Sequence, residues 1–62
     1  MTARIIMLME IYQGLWLSAD FEYDLEMNFP SQFRTLKWNA NQISDGDLIS
    51  MYAFLKDHPV FN

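Results

Sequence analysis

The sequence predicts an α+β fold, a small three-stranded antiparallel β-meander with one C-terminal α-helix packed on its dry face. Three observations carry that expectation. From residue 15 to residue 29 every odd position is apolar and every even position except Trp16 is polar. Turn signals at 13–15 and 28–31 set an apolar run on either side of that stretch. Beyond Ser44 the apolar residues recur at helical spacing instead. An all-α arrangement of three to four short helices is the alternative, and residues 4–29 decide between the two.

Residues 4–12, RIIMLMEIY, are apolar at nearly every position, as a strand buried on much of both faces would be. A helix would gather Ile5, Leu8, Met9, Tyr12, Leu15 and Trp16 on one side, with Arg4, Glu10, Gln13 and Gly14 opposite. Periodicity does not separate short apolar runs, so the neighbours arbitrate. Residues 13–15 suit a three-residue hairpin loop, with Gly14 free to adopt a left-handed conformation. Ile11 then faces Leu17, Met9 faces Ala19, Met7 faces Phe21 and Ile5 faces Tyr23, all on one side, while Glu10 faces Ser18 on the other. A slip of one residue would put Glu10 on the dry face, so the pattern selects one register.

In residues 15–29 the strict alternation fits a strand with one wet and one dry face. It places Asp20, Glu22, Asp24 and Glu26, half of the chain's eight acids, in a row on the wet face. A helix here would have Ser18 as its cap and an acidic first turn, both favourable. It would also stack Asp20 on Asp24 and Glu22 on Glu26 one turn apart, where like charges destabilise. Phe21 and Leu25 would lie away from Tyr23 and Met27 around such a helix. The strand is the expectation.

Residues 28–31 hold three turn formers in a four-residue hairpin loop. Across it Leu25 faces Arg34, Tyr23 faces Leu36 and Phe21 faces Trp38 on the dry side. On the wet side Asp24 faces Thr35 and Glu22 faces Lys37, an opposite-charge pair worth ~0.2–1 kcal/mol. Arg34 is the misfit, and reaches water from the sheet's end. A polar linker at 39–42 leads to the helix expected at 45–57. Ser44 caps it with Asp47 three positions on, Leu48, Met51, Tyr52 and Leu55 form its apolar stripe, and Lys56 complements its dipole. Pro59 ends it. The expected core sets Ile5, Met7, Met9, Ile11, Leu17, Phe21, Tyr23, Leu25, Leu36 and Trp38 against that stripe.

With 62 residues the chain is read as one small domain, 1–62. A domain of this size buries only about 60% of the surface its unfolded chain exposes, and without cysteine it has no disulfide to help. The 52% hydrophobic, 16% aromatic composition therefore suits a dense core or a homo-oligomer, and excludes disorder. A net charge of −4 argues against direct nucleic-acid binding and for a basic partner. The apolar run at 5–9 stops at Glu10, too short for a signal peptide or a membrane span. A cytoplasmic protein is the expectation.

Catalytic and metal-binding patterns are weak. His58, the single histidine, sits beside Asp57 past the helix, where a solvated helix end explains the pair better than catalysis. Asp45-Gly46-Asp47 matches only the start of a calcium loop, because its twelfth position is Lys56 instead of a bidentate glutamate. Carboxylates on a wet face lack the desolvation that tunes acid–base pairs. No catalytic residue, metal ligand, cofactor or small-molecule substrate is assigned, and the chain is read as non-enzymatic.

Two signals remain. Alternate residues on a strand lie roughly 6.7 Å apart, so the row Asp20, Glu22, Asp24, Glu26 would space carboxylates much as a nucleic-acid strand spaces phosphates. The other signal is an apolar surplus: Ile6, Leu8, Tyr12 and Trp16 beside the acids, with Val60 and Phe61 after the helix. Apolar patches with aromatic anchors mark interfaces. The leading expectation is a small acidic interaction protein that binds a basic, nucleic-acid-handling partner through those acids, with Tyr12 and Trp16 as anchors. An inhibitor mimicking nucleic acid is one form of it. Small, acidic, cysteine-free chains are frequent among phage antagonists of host or defence machinery, an association of composition alone. The alternatives are a homodimeric adaptor or accessory subunit held by the apolar patch, and an all-helical transcriptional regulator.

Overall fold

Four helices build the chain, and no strand occurs among the described residues: α1 (Ala3–Leu17), α2 (Ala19–Asn28), α3 (Pro30–Asn39) and α4 (Asp45–Asp57), with a 3₁₀ turn at Ala40–Gln42. The structure is a computed structural model that describes residues 2–60. The β-meander is therefore overturned, and the all-α alternative describes the fold. None of the cross-strand pairings forms.

Single residues separate the first three helices. Ser18 is extended (φ −143°, ψ 112°) and serves both neighbours. Its amide donates to the Gly14 carbonyl (3.0 Å), closing α1, while its hydroxyl accepts from the Phe21 amide (3.1 Å), opening α2. Phe29 breaks the next junction because Pro30 disfavours helical geometry in the residue before it. Proline then sits at the first turn of α3, where its missing N–H costs nothing. Thr2 caps α1 through the Ile5 amide (3.2 Å), and Ser44 caps α4 through the Asp47 amide (3.1 Å). The helix expected at 45–57 is the helix observed.

Magnitudes show why carboxylate repulsion does not prevent a helix at residues 19–28. Two like-charge pairs one turn apart cost ~0.2–0.5 kcal/mol each. Burying a Phe or Leu side chain contributes about 1.5–3 kcal/mol. Phe21 and Leu25, four apart, share the inner face of α2 and are fully buried. The dipole at the helix start also favours Asp20 and Glu22. Phe21 and Leu25 satisfy the strand and helix periods alike, so the alternation alone was ambiguous.

One core joins Ile11 of α1, Phe21 and Leu25 of α2, Phe33 and Leu36 of α3, Ile43, and Leu48, Met51 and Leu55 of α4. Seven of these were expected; Phe33 and Ile43 were not. Ile5, Met9, Leu17, Tyr23 and Trp38, expected inside, are exposed. Each had been placed on the dry face by a strand period that the helices do not share. Gly14 also differs from its expected role. No glycine has a positive φ among the described residues, and Gly14 lies buried inside α1. A Cβ there would come within 2.9 Å of Leu55 Cδ1 and 3.0 Å of Phe21 Cε2. Its bare Cα lets α1 close on α4 and α2 together.

Candidate interaction surface

Helix α1 is apolar on both its inner and its outer face, its polar side chains being only Arg4, Glu10 and Gln13, a pattern normally reserved for a helix surrounded by protein. Ile11 and Gly14 are buried, and Met7, Leu8 and Leu15 pack against the core. Ile5, Met9, Tyr12 and Trp16, spaced four, three and four residues apart, share the opposite face and are exposed, as are Ile6 and Leu17 beside them. Trp16 is 89% exposed and Met9 57%. Ile6, Met9, Glu10, Tyr12 and Gln13 line an open depression of about 570 Å³ on this face.

The face is held rigidly from behind. The Tyr12 hydroxyl donates to the Leu36 carbonyl (2.8 Å), fixing the ring, and burial pushes the Tyr12 phenol above its ordinary pKa. At its edge Glu10 accepts from the Tyr52 hydroxyl (2.7 Å) and the Lys56 ammonium (2.8 Å), which tie α1 to α4. Lys56 first, and then Tyr52, hold the Glu10 carboxyl below the ordinary carboxylate range, and Glu10 in turn raises the Lys56 ammonium. At the other end Arg4 bonds Asp45 (2.8 Å) and the Ala40 carbonyl (3.0 Å).

The expected acidic row does not exist. On a helix Asp20 and Asp24 lie on one flank of α2 and Glu22 and Glu26 on the other, with Phe21 and Leu25 inward. Tyr23 and Met27, each 63% exposed, stand outward between the flanks. The phosphate-like strand spacing of these carboxylates is lost with the strand. Asp24 is also engaged, its Oδ2 lying 2.9 Å from His58 Nε2. Asp24, and not Asp57, is thus the partner of His58. The imidazole packs edge-on against Phe21 (5.5 Å between ring centroids), and its Nδ1 is buried with no hydrogen-bond partner among the described residues. One ring nitrogen is occupied and the other enclosed, so this pair fastens α4 to α2 and presents no accessible base.

Of the expected anchors, Tyr12 and Trp16 fall together on the α1 face, apart from the acids of α2. Ile6 joins them, whereas Leu8 and Val60 pack against the core; Phe61 lies outside the described residues. The sequence reading missed Ile5, Met9 and Leu17 on this face. Their signal was the four-three-four spacing itself, which the helical alternative blurred by adding Leu8 and Leu15. A second open groove, of about 500 Å³, is lined by Glu26, Pro30, Phe33, Arg34, Lys37 and Trp38. Asp45-Gly46-Asp47 is the first turn of α4, and no group of three or more metal-ligating side chains occurs among the described residues. No helix of the described residues is long and apolar enough to cross a membrane. Comparison with protein-family models, curated proteins and solved structures finds no match.

Proposed function

We propose that this is a non-enzymatic interaction protein whose working surface is the outer face of α1. One observation carries the reading: six apolar side chains, Ile5, Ile6, Met9, Tyr12, Trp16 and Leu17, are exposed on one side of a single helix. Contiguous apolar surface of this kind on a small chain marks a contact with another macromolecule. Aromatic side chains fixed before binding lower the ordering cost of that contact. Tyr12, pinned through its hydroxyl, meets that condition.

The test is capture by a tagged chain from source-cell lysate that also contains an untagged copy. Native bait is compared with a Met9→Glu, Trp16→Asp variant whose helical content and unfolding midpoint match the native chain. Capture lost in the variant supports the reading, and unchanged capture refutes it. A second reading rests on α2, where Tyr23 and Met27 stand between two acidic flanks, a surface complementary to a basic partner with apolar pockets. Replacing Asp20, Glu22 and Glu26 by Lys, which leaves the Asp24–His58 contact intact, would abolish capture in that case, with the α1 variant behaving as native.

A further inference from the structure

Resting on the reading of α1 as the working surface, we propose that its occupant is a second copy of the chain, docked antiparallel about a two-fold axis between Glu10 and Ile11. The spacing of the stripe supports this. Ile5, Met9, Tyr12 and Trp16 follow the four-three-four rhythm of a coiled-coil seam. Antiparallel pairing about that axis sets Ile5 against the partner copy's Trp16 and Met9 against its Tyr12. Each contact matches an aliphatic side chain with an aromatic one, and the thioether of Met9 reaches a ring. A two-fold contact of this type is self-complementary and closes at two copies.

Charge directs a contact between two copies to this face. Each copy carries −4, so contacts through α2 would bring Asp20, Glu22 and Glu26 of two copies together. The α1 stripe has no charged member. Glu10, beside the axis, is already bonded to Lys56 and Tyr52. Antiparallel helices also align their dipoles favourably. Other occupants fit less well. A basic partner would find no free carboxylate on the stripe. An anionic membrane surface would require cations around the apolar face, and the nearest, Arg4 and Lys56, are both paired.

Area sets the scale of the contact. A standard interface takes roughly 600–800 Å² from each partner, about a seventh to a fifth of the 4269 Å² this chain exposes. Area alone does not fix affinity, so the association is read over a wide micromolar range.

Sedimentation velocity over a micromolar concentration series reads the association directly. The native chain should pass from monomer to dimer, and Met9→Glu, which brings carboxylates to the axis, should weaken it at least about thirty-fold. A cysteine-free chain permits a register test as well. Along α1, Ile5 and Trp16 lie about 16 Å apart, so in the antiparallel dimer neither Ile5→Cys nor Trp16→Cys meets its own copy within disulfide reach. Each variant alone should stay uncrosslinked under oxidation, while their mixture crosslinks. A native chain that stays monomeric throughout the concentration series overturns the second copy and leaves α1 open for another partner. A dimer that survives both Met9→Glu and Trp16→Asp overturns the α1 surface altogether. Crosslinking of Ile5→Cys alone overturns the antiparallel register.

Discussion

Replacing Gly14 by alanine tests whether close approach of the Leu55 and Phe21 side chains to the α1 backbone fixes how α1 sits on α4 and α2. In an exposed helix interior this change stabilises by about 0.8–1.0 kcal/mol, because glycine loses more backbone freedom on folding. At Gly14 the new methyl would lie 2.9 Å from Leu55 Cδ1 and 3.0 and 3.1 Å from Phe21 ring atoms. Leu55 and Phe21 are essentially inaccessible, and Phe21 is confined further by the rings of Phe54 and His58 at 6.1 and 5.5 Å. The Leu55 methyl could rotate aside only into packed core, and the Phe21 ring cannot bend. Overpacking of such a site costs about 1–3 kcal/mol. The cost exceeds the propensity gain, leaving a net loss of about 1 kcal/mol. Gly46 is the internal control. Nothing lies within 4 Å of a Cβ there, so Gly46→Ala should stabilise by about 0.4–1 kcal/mol. Urea unfolding followed by far-ultraviolet circular dichroism, at one fixed protein concentration, measures both. For a domain of this length 1 kcal/mol shifts Tm by about 4–8 °C, so the opposite signs are easily resolved. A Gly14→Ala chain as stable as Gly46→Ala would refute the packing argument.

Three further outcomes follow from the same structure. Ser18→Ala removes the hydroxyl that caps α2 and should cost about 1 kcal/mol, read as a lower urea midpoint; an unchanged midpoint would show that the Ser18 junction does not set the path of the chain. Phe21→Ala empties the centre of the core and should cost about 3–5 kcal/mol, enough to leave a chain this small largely unfolded by circular dichroism. The Glu10–Lys56–Tyr52 contact should act only within a pH window. The Glu10 pKa is depressed on folding, so its contribution is present above the unfolded carboxyl's pKa and is lost as pH falls through the lower folded value. The Lys56 pKa is raised, so its contribution holds below the unfolded ammonium's pKa and fades as pH rises through the folded one. Glu10→Gln should therefore lower the urea midpoint at about pH 7, by an amount that shrinks as pH falls below the unfolded carboxyl's range; a loss that stays constant with pH would mean that charge is not what the contact contributes.

Local signals in the sequence were sufficient wherever chemistry acts over a few residues. The helix at 45–57 was legible because its stripe lies within it and its cap, Ser44, and closing Pro59 lie within two residues of its ends. Ser18 and Pro30 likewise mark the junctions of α2 as surely as they would mark a turn. For residues 19–28 the repulsion held against the helix amounts to only a few tenths of a kcal/mol per pair, and Phe21 and Leu25 fit either period, so neither the charges nor the apolar pattern decided the matter. Tyr12 and Trp16 were picked out as anchors from their aromatic character and do share a face, but the acids assigned with them belong to a different helix and to both of its flanks. The pairing of His58 with Asp24 has no sequence signal, because the two lie thirty-four residues apart and meet only when α4 packs on α2.

Composition and short-range pattern thus determined that the chain carries more apolar surface than a domain of its size can bury, and where the ends of α4 fall. Only the tertiary structure decided which face of α1 remains outside. An amphipathic helix announces its inner face, but α1 has two apolar faces, so hydropathy alone does not say which one turns inward. Gly14 favours the observed orientation, because its bare Cα lets Leu55 of α4 and Phe21 of α2 pack closely on the α1 backbone. Once that face turns inward, Ile5, Met9, Tyr12 and Trp16 are left in water by geometry alone.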